Sequence, residues 1–550
     1  MTCVSELHKA RQAYRPKLPA VLNAGPAVKI VKGKPRAAAE DREAIRTLFP
    51  ATYGMPQVRF EKGDQSHFSP IHVGVILSGG QAPGGHNVIA GIFDGIKACH
   101  PNSLLYGFLG GPLGLVENRY RELDAEFIAA YRNTGGFDMI GSGRTKLEKT
   151  EQFDAALNNC KNLGIQALVI IGGDDSNTNA AVLAEYYRQK GEKISVIGVP
   201  KTIDGDLKNE MIEASFGFDT ATKVYSELIG NIERDANSAK KYWHIIKLMG
   251  RSASHIALEC ALRTRPNYTV ISEEVAAKKM TLQDIVDELT DIVVKRAEKG
   301  DHFGVALIPE GLIEFIPEMR NLIAELNDLM AQDQKDIEAL QTLAAKRDFI
   351  CGKLKGHTAD LYRSLPSEIA SQLIMERDPH GNVQVSLIET EKLLVQMVGA
   401  KLNVLQAEGK YRGKFKTHTH FFGYEGRCSF PSNFDADYTY TLGYGAVVLA
   451  ANSLSGYMSS VRGLAGAVAD WIPGGIPMTQ MMSMERRHGK DKPVIRKALV
   501  DLQGNPFRVF TEKRSEWAVQ TCYIYPGPIQ YAGPESLCEI RTLTLELEHK

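Results

Sequence analysis

Ile171-Gly172-Gly173-Asp174-Asp175-Ser176 and Pro200-Lys201-Thr202-Ile203-Asp204-Gly205-Asp206 are the two stretches that decide how this chain reads. Each follows an apolar run, Ala167-Leu168-Val169-Ile170-Ile171 and Ile194-Ser195-Val196-Ile197-Gly198-Val199. Such short β-branched runs are those of parallel strands buried on both faces. Ligands on open parallel sheets bind beyond the carboxyl ends of the strands. Four carboxylates and a lysine gathered there suit a magnesium-phosphate site and phosphoryl transfer, a reaction driven mainly by positioning and charge neutralisation.

Strand, glycine loop and helix recur around these stretches. Val73-Gly74-Val75-Ile76-Leu77 runs into Ser78-Gly79-Gly80-Gln81, after which Val88, Ile89, Ile92, Phe93 and Ile96 fall at helical spacing. Asp138-Met139-Ile140 leads to Gly141-Ser142-Gly143-Arg144-Thr145-Lys146. Lys241 to Met249 reads as a strand ending at Met249-Gly250-Arg251, with a helix from near Ser252, and Gly304-Val305-Ala306-Leu307-Ile308 as one ending at Pro309-Glu310-Gly311. From 314 to 405 the pattern turns helical: Ile316, Met319, Leu322, Ile323, Leu326 and Leu329 recur at three and four residues. The last 75 residues carry short β-like runs, Phe507-Arg508-Val509-Phe510 and Cys522-Tyr523-Ile524-Tyr525.

The fold expected is α/β, two Rossmann-like three-layer domains facing a cleft, with a helical insertion and terminal extensions. The boundaries follow the changes in pattern. Residues 1–68 form an N-terminal arm. Residues 69–215 with 425–475 form a donor and metal domain. Residues 216–313 with 406–424 form a sugar-phosphate domain. Residues 314–405 are the insertion and 476–550 a C-terminal extension.

Composition narrows the function classes. Lys and Arg number 65 and Asp and Glu 65, so no bulk field draws the chain to nucleic acid or an anionic membrane. Phosphate affinity must be local. The eight cysteines include no CxxC pair, which fits free thiols in a reducing compartment and suggests neither zinc nor a redox motif. No apolar run approaches a membrane span, and the first thirty residues lack a signal-peptide core; a cytosolic protein is expected. GxxxxGK[ST] and GxGxxG are absent, which argues against a P-loop NTPase or a standard dinucleotide fold.

The candidate residues each have a plain reading beside the chemical one. Gly79-Gly80 is either a simple turn or a loop whose N–H groups face a phosphate. Asp174 is either a helix cap or a magnesium ligand. Asp175, a second carboxylate beside a polyanion site, repels its ligand unless it excludes one ligand in favour of another. Lys201 can neutralise a transferring phosphoryl group, Asp204 can accept a hydroxyl proton, and Asp206 can assist with metal or orientation; the alternative is a solvated Asp-Gly turn. Arg251 and Arg427 suit sugar phosphate and Glu310 sugar hydroxyls, or are surface charges. His418 and His420 alternate on a strand and could face one metal, but no third ligand is evident.

GGDDSNTNA, PKTIDGDLK, LMGRSASHIALECAL, LIPEGL and FFGYEGR, in this order, resemble the phosphofructokinases, specifically their long pyrophosphate-dependent type. The resemblance spans about residues 70–475, including the helical stretch. It implies reversible, Mg2+-dependent transfer of a phosphoryl group from pyrophosphate to the 1-hydroxyl of fructose 6-phosphate, a glycolytic step. It implies Asp204 as general base, with Asp175 and Lys201 also catalytic, and Asp174 as the metal residue. Gly80, Gly173 and, less closely matched, Arg144 fall on the donor side. Thr202, Ile203, Asp204, Met249, Gly250, Arg251, Glu310, Tyr424, Glu425, Gly426 and Arg427 fall on the sugar phosphate. Lys241 and Tyr242 match positions offered to a neighbouring subunit, so a homodimer or higher homo-oligomer is implied, with small-molecule substrates only. ATP-using relatives have glycine at the positions of Asp175 and Lys201, so these two set pyrophosphate over ATP. An ATP-dependent sugar-phosphate kinase, another Gly-Gly-Asp kinase and a regulatory partner subunit are the competing readings.

Overall fold

The computed structural model describes residues 4–63, 68–375, 383, 387–487 and 490–550. In chain order the strands are β1 (Val28–Pro35), β2 (Pro56–Lys62), β3 (Val73–Leu77), β4 (Leu105–Phe108), β5 (Tyr120–Glu122), β6 (Ala167–Gly172), β7 (Ser195–Pro200), β8 (Trp243–Leu248), β9 (Tyr268–Thr269), β10 (Gly304–Pro309), β11 (Thr417–Phe422), β12 (Tyr457–Arg462), β13 (Ile472–Pro477), β14 (Met482–Arg487) and β15 (Lys490–Ile495). The chain is α/β and divides into two compact units.

The first unit comprises Met1–Val224, Tyr424–Ala498 and Ile529–His549. Its nine-stranded sheet has the order β1-β2-β13-β12-β7-β6-β3-β4-β5. The central pairs β12–β7, β7–β6, β6–β3 and β3–β4 are parallel. β3, β4, β6 and β7 are buried throughout, as strands covered on both faces must be. The chain steps from β3 to β4 on one side and then returns to β6 on the other. The loops after β3 and β6 therefore meet at a topological switch point, where open α/β sheets bind ligands.

Two helices, Gly85–Cys99 and Asn433–Ala451, lie against each other through glycines. A Cβ at Gly443 would lie 2.1 Å from the Val88 carbonyl oxygen, and one at Gly91 would lie 2.3 Å from that of Tyr440. The later helix is apolar or buried around most of its circumference, as a helix inside a core must be.

The second unit comprises Tyr225–Gly423, Leu499–Pro528 and Lys550. Its four-stranded sheet, β11-β8-β10-β9, is entirely parallel. The stretch read as helical carries helices at Pro317–Gln332, Gln334–Ala339, Leu343–Lys353, Gly356–Ser364, Ser367–Met375 and Thr390–Ala407. Met319, Leu322, Leu326, Ile369, Leu373, Leu394 and Val398 from it join one core cluster with Trp243 and Ile245 of β8. Residues 376–382 and 384–386 of this stretch, and Cys3, lie outside the described residues.

Several local expectations are corrected. Residues 138–140 are a turn, not a strand, because Gly141 accepts a positive φ and its N–H closes back on Phe137 at 2.7 Å. Phe507–Phe510 lies in the helix Asn505–Val519: Pro506 suits a first helical turn, and Phe507, Phe510 and Trp517 bury at helical rather than alternating spacing. Residues 522–525 form no strand. The first 68 residues, expected as an N-terminal arm, supply β1 and β2 to the sheet of the first unit, β2 pairing with β13. The last 75 residues are shared between the two units rather than forming one extension. Cys99, Cys160, Cys260, Cys351, Cys428, Cys522 and Cys538 are free thiols. Among the described residues no helix is long and apolar enough to cross a membrane.

The same substitution should act with opposite sign at two helical glycines. Gly443→Ala overpacks the helix crossing and is expected to lower stability by about 1–3 kcal/mol. Gly399→Ala, in the helix Thr390–Ala407 with nothing within 4 Å of the added Cβ, is expected to raise it by about 0.5–1 kcal/mol. Urea unfolding of the two variants measures both.

Candidate functional site

The first unit gathers the loops after β3, β6 and β7. The Asn177 carboxamide ties two of them: its Nδ2 donates to the carbonyls of Gly172 at 2.6 Å and Gly173 at 2.9 Å, and reaches that of Val199 at 3.3 Å. Gly198 makes room, since a Cβ there would lie 2.1 Å from Asn177 Oδ1. The Lys201 N–H donates to the Gly172 carbonyl at 3.0 Å. The third loop joins through Ser78, whose N–H donates to Ile171 at 2.8 Å and whose hydroxyl meets Ser176 at 2.8 Å.

Asp174 and Asp175 open the helix Asp174–Gln189, where carboxylates favour the positive end of the helix dipole. Each meets a lysine. Asp174 lies 3.5 Å from Lys497 and Asp175 lies 3.6 Å from Lys146. Lys201 is only 6% exposed, and its ammonium donates to the Gly80 carbonyl at 2.6 Å. Burial pushes its pKa down to about 8; Arg427 and Arg144 push the same way, against Asp204 and Asp174. Gly80 is crowded from one side, since a Cβ there would lie 2.8 Å from Arg427 Nη2 and 3.8 Å from Arg144 Nη2. Arg427 also donates to Gln81 Oε1 at 2.5 Å. The Asp204 N–H bonds the Thr202 hydroxyl at 3.0 Å, which folds the loop back on itself, while Ile203 and Asp206 are buried. Gly80, Arg144, Gly173, Asp174, Asp175, Lys201, Thr202, Asp204 and Arg427 thus belong to one unit and one end of one sheet. Tyr424, Glu425 and Gly426 are carried with Arg427 on the short helix Tyr424–Arg427.

The second unit holds its own cluster. Met249, Gly250 and Arg251 follow β8 and Glu310 follows β10, so parallel pairing brings their loops together. The Gly250 N–H donates to Glu310 Oε2 at 3.0 Å, the Glu310 N–H to Leu248 at 2.9 Å and the Met249 N–H to Phe422 at 2.9 Å. Lys241 and Tyr242 precede β8 and lie at the other end of that strand, roughly 25 Å from Met249 at about 3.3 Å per residue. The histidines read as possible metal ligands sit at neither loop cluster. His244 Nδ1 and His420 Nε2 share a hydrogen bond at 2.9 Å, and the two rings stack. Burial, then the neighbouring imidazoles His420 and His418, push His244 down to about 4. Among the described residues no group of three or more His, Cys, Asp or Glu is placed to hold a metal.

Three residues of the first cluster escaped the sequence reading. Asn177 lay inside a quoted motif without a role. Gln81 followed a glycine pair and carried no charge to attract notice. Lys497 lies far along the chain, and only the fold brings it to Asp174.

The chain matches the Phosphofructokinase family over residues 72–354. It is 59% identical to the pyrophosphate–fructose 6-phosphate 1-phosphotransferase of Porphyromonas gingivalis, over 99% of both chains. It is 56% identical to the protein of the same name from Treponema pallidum, over 99% of this chain and 97% of that one. In fold it resembles a pyrophosphate-dependent phosphofructokinase from Nitrosospira multiformis, with a TM-score of 0.54 at 16% identity over 84% of this chain and 95% of the other.

The depressed Lys201 has a thermodynamic signature. Its folded pKa, about 8, lies below its ordinary value of 10.5, so between these pH values the unfolded chain binds the extra proton. Burying the charge therefore costs stability below pH 8, and the cost disappears as pH rises towards 10.5. The stability of the wild type minus that of Lys201→Met should increase across this window. Urea unfolding at pH 7, 8, 9 and 10 checks it; a flat difference would contradict the burial of a charged Lys201.

Proposed function

The chain belongs to the phosphofructokinase family, and from that premise we propose that it transfers a phosphoryl group reversibly from pyrophosphate to the 1-hydroxyl of fructose 6-phosphate. The products are fructose 1,6-bisphosphate and phosphate, and the step is glycolytic. The observation that carries the donor assignment is the buried Lys201 ammonium, bonded to Gly80 and facing the same loops as Asp174 and Asp175. The names of relatives more than half identical along nearly their whole length support it.

In this reading the Gly80 and Gly173 loops and Arg144 receive pyrophosphate, and Lys201 neutralises charge on the group in transit. Asp204 takes the proton of the attacking hydroxyl, with Thr202 and Ile203 shaping its loop. Met249, Gly250, Arg251, Glu310, Tyr424, Glu425, Gly426 and Arg427 bind the sugar phosphate. Asp175 bars a nucleotide by charge and bulk where its α-phosphate would lie.

Magnesium is the cofactor we assign. Asp174 fits it, as a part-exposed carboxylate at the mouth of a phosphate loop, because magnesium takes one or two carboxylates together with substrate oxygens and waters. Bound there, the ion would neutralise phosphate oxygens. Lys241 and Tyr242, remote from the other sugar-phosphate residues of their unit, serve a neighbouring subunit, so the assembly is a homodimer or higher homo-oligomer. We place it in the cytosol.

The deciding assay is fructose 1,6-bisphosphate formation by the purified chain with magnesium and fructose 6-phosphate, pyrophosphate set against ATP. Activity with pyrophosphate alone is expected. Activity with ATP instead would overturn the roles of Asp175 and Lys201, and activity with neither would overturn the single-chain enzyme. Asp204→Asn should lose turnover by roughly 10²–10⁴-fold while retaining fructose 6-phosphate binding; near wild-type turnover would remove it as the base. Asp175→Gly with Lys201→Gly should lose pyrophosphate turnover by about 10²-fold or more and admit ATP. Full pyrophosphate activity in that double variant would contradict the donor account.

A further inference from the structure

Lys497 arrives at the phosphate loops from a part of the chain that carries none of the family motifs. It follows the two-stranded ribbon β14–β15. Two backbone bonds fix it, one on each side. The Ile495 N–H donates to the Thr178 hydroxyl at 2.9 Å, and that hydroxyl donates to the Asp174 carbonyl at 2.8 Å. The Ala498 N–H donates to the Asp206 carbonyl at 2.6 Å. The segment is thus laced to both acidic loops, and the side chain between the two anchors sets its ammonium 3.5 Å from Asp174 Oδ2.

The arrangement does not suit a role in stability. The side chains of Lys497 and Asp174 are 27% and 23% exposed, and partly solvated pairs at this separation contribute little to folding. Backbone bonds, not the ion pair, hold the segment. A polyanion approaching Asp174 and Asp175 meets two carboxylates, and cations must offset that repulsion. Lys201 supplies one from beneath Gly80, and Lys497 supplies another from the Asp174 side. Lysine is a compact charge on a flexible stem, so the ammonium can pass from the carboxylate to a phosphate oxygen without backbone movement.

We propose that Lys497 is a donor-binding residue whose ammonium contacts an oxygen of pyrophosphate, or of inorganic phosphate in the reverse direction. This rests on the function proposed above.

The test compares wild type, Lys497→Met and Lys497→Arg as full chains. Kinetics with pyrophosphate, phosphate and fructose 6-phosphate each varied are combined with calorimetric titration of pyrophosphate at fixed magnesium and with urea unfolding. Loss of one charge-assisted bond should weaken pyrophosphate and phosphate, in both KM and Kd, by about 10-fold or more in Lys497→Met. The KM for fructose 6-phosphate and the urea midpoint should stay near wild type, and Lys497→Arg should recover most of the loss. Unchanged pyrophosphate Kd in Lys497→Met would overturn the proposal while leaving the reaction assignment intact. An equal loss for both substrates, with lowered stability, would make the residue structural and overturn it too. If the wild type binds pyrophosphate but phosphorylates another acceptor, the function reading fails and the same Kd comparison still decides Lys497. A wild type that binds no pyrophosphate refutes both.

Discussion

One carboxamide governs the geometry of the first unit's Gly-Gly-Asp and Pro-Lys-Thr loops. Asn177 donates to Gly172 and Gly173 and reaches Val199, the carbonyls at the ends of two neighbouring parallel strands. Buried carbonyls must be paired, and at the mouth of the sheet the Gly172 carbonyl keeps one ladder bond, from the Lys201 N–H, beside the one from Asn177. Asn177 can reach it because Gly198 leaves space beneath it. With these carbonyls turned inward, the helix from Asp174 starts at a fixed point, and Lys201 leaves β7 aimed under Gly80. The placement of Asp174, Asp175 and Lys201 follows from that tie.

Those charges are of both signs and lie close together. The chain is neutral overall, yet it places Arg427 and Arg144 near the Lys201 ammonium, where burial first and then these cations push its pKa down against Asp204 and Asp174. A buried cation such as Lys201 beside other cations costs folding energy unless an anion joins them. The carboxylates of Asp174 and Asp175 offset part of the cost and carry lysines of their own. Perturbed groups of this kind concentrate at functional sites. The second unit repeats the principle at lower charge: Glu310 accepts the Gly250 N–H, so the loops after β8 and β10 are held together by one buried carboxylate.

The sequence revealed the parts of this plan that are local. β3, β6, β7 and β10 were legible because short β-branched and aliphatic runs bounded by glycine-containing loops suit strands buried on both faces. Convergence of Met249–Arg251 with Glu310 followed from the same rule. Elements held by tertiary contacts were not legible. Phe507 to Phe510 looks like a strand until Trp517 supplies the helical spacing. β1 and β2 carry exposed lysines and find their place only by pairing on β13. Lys497 has no local signal at all, since the backbone bonds that position it end on Thr178 and Asp206.

The central claim is that the phosphoryl donor binds at the switch-point loops of the first unit. Hydrogen exchange measured by mass spectrometry, with pyrophosphate and magnesium added before any sugar phosphate, tests it directly. The account predicts slowed exchange in residues 78–81, 172–177 and 200–206, with 249–254 and 310–311 changing only when fructose 6-phosphate is added. Protection by pyrophosphate in the second unit's loops, with none in the first, would contradict it.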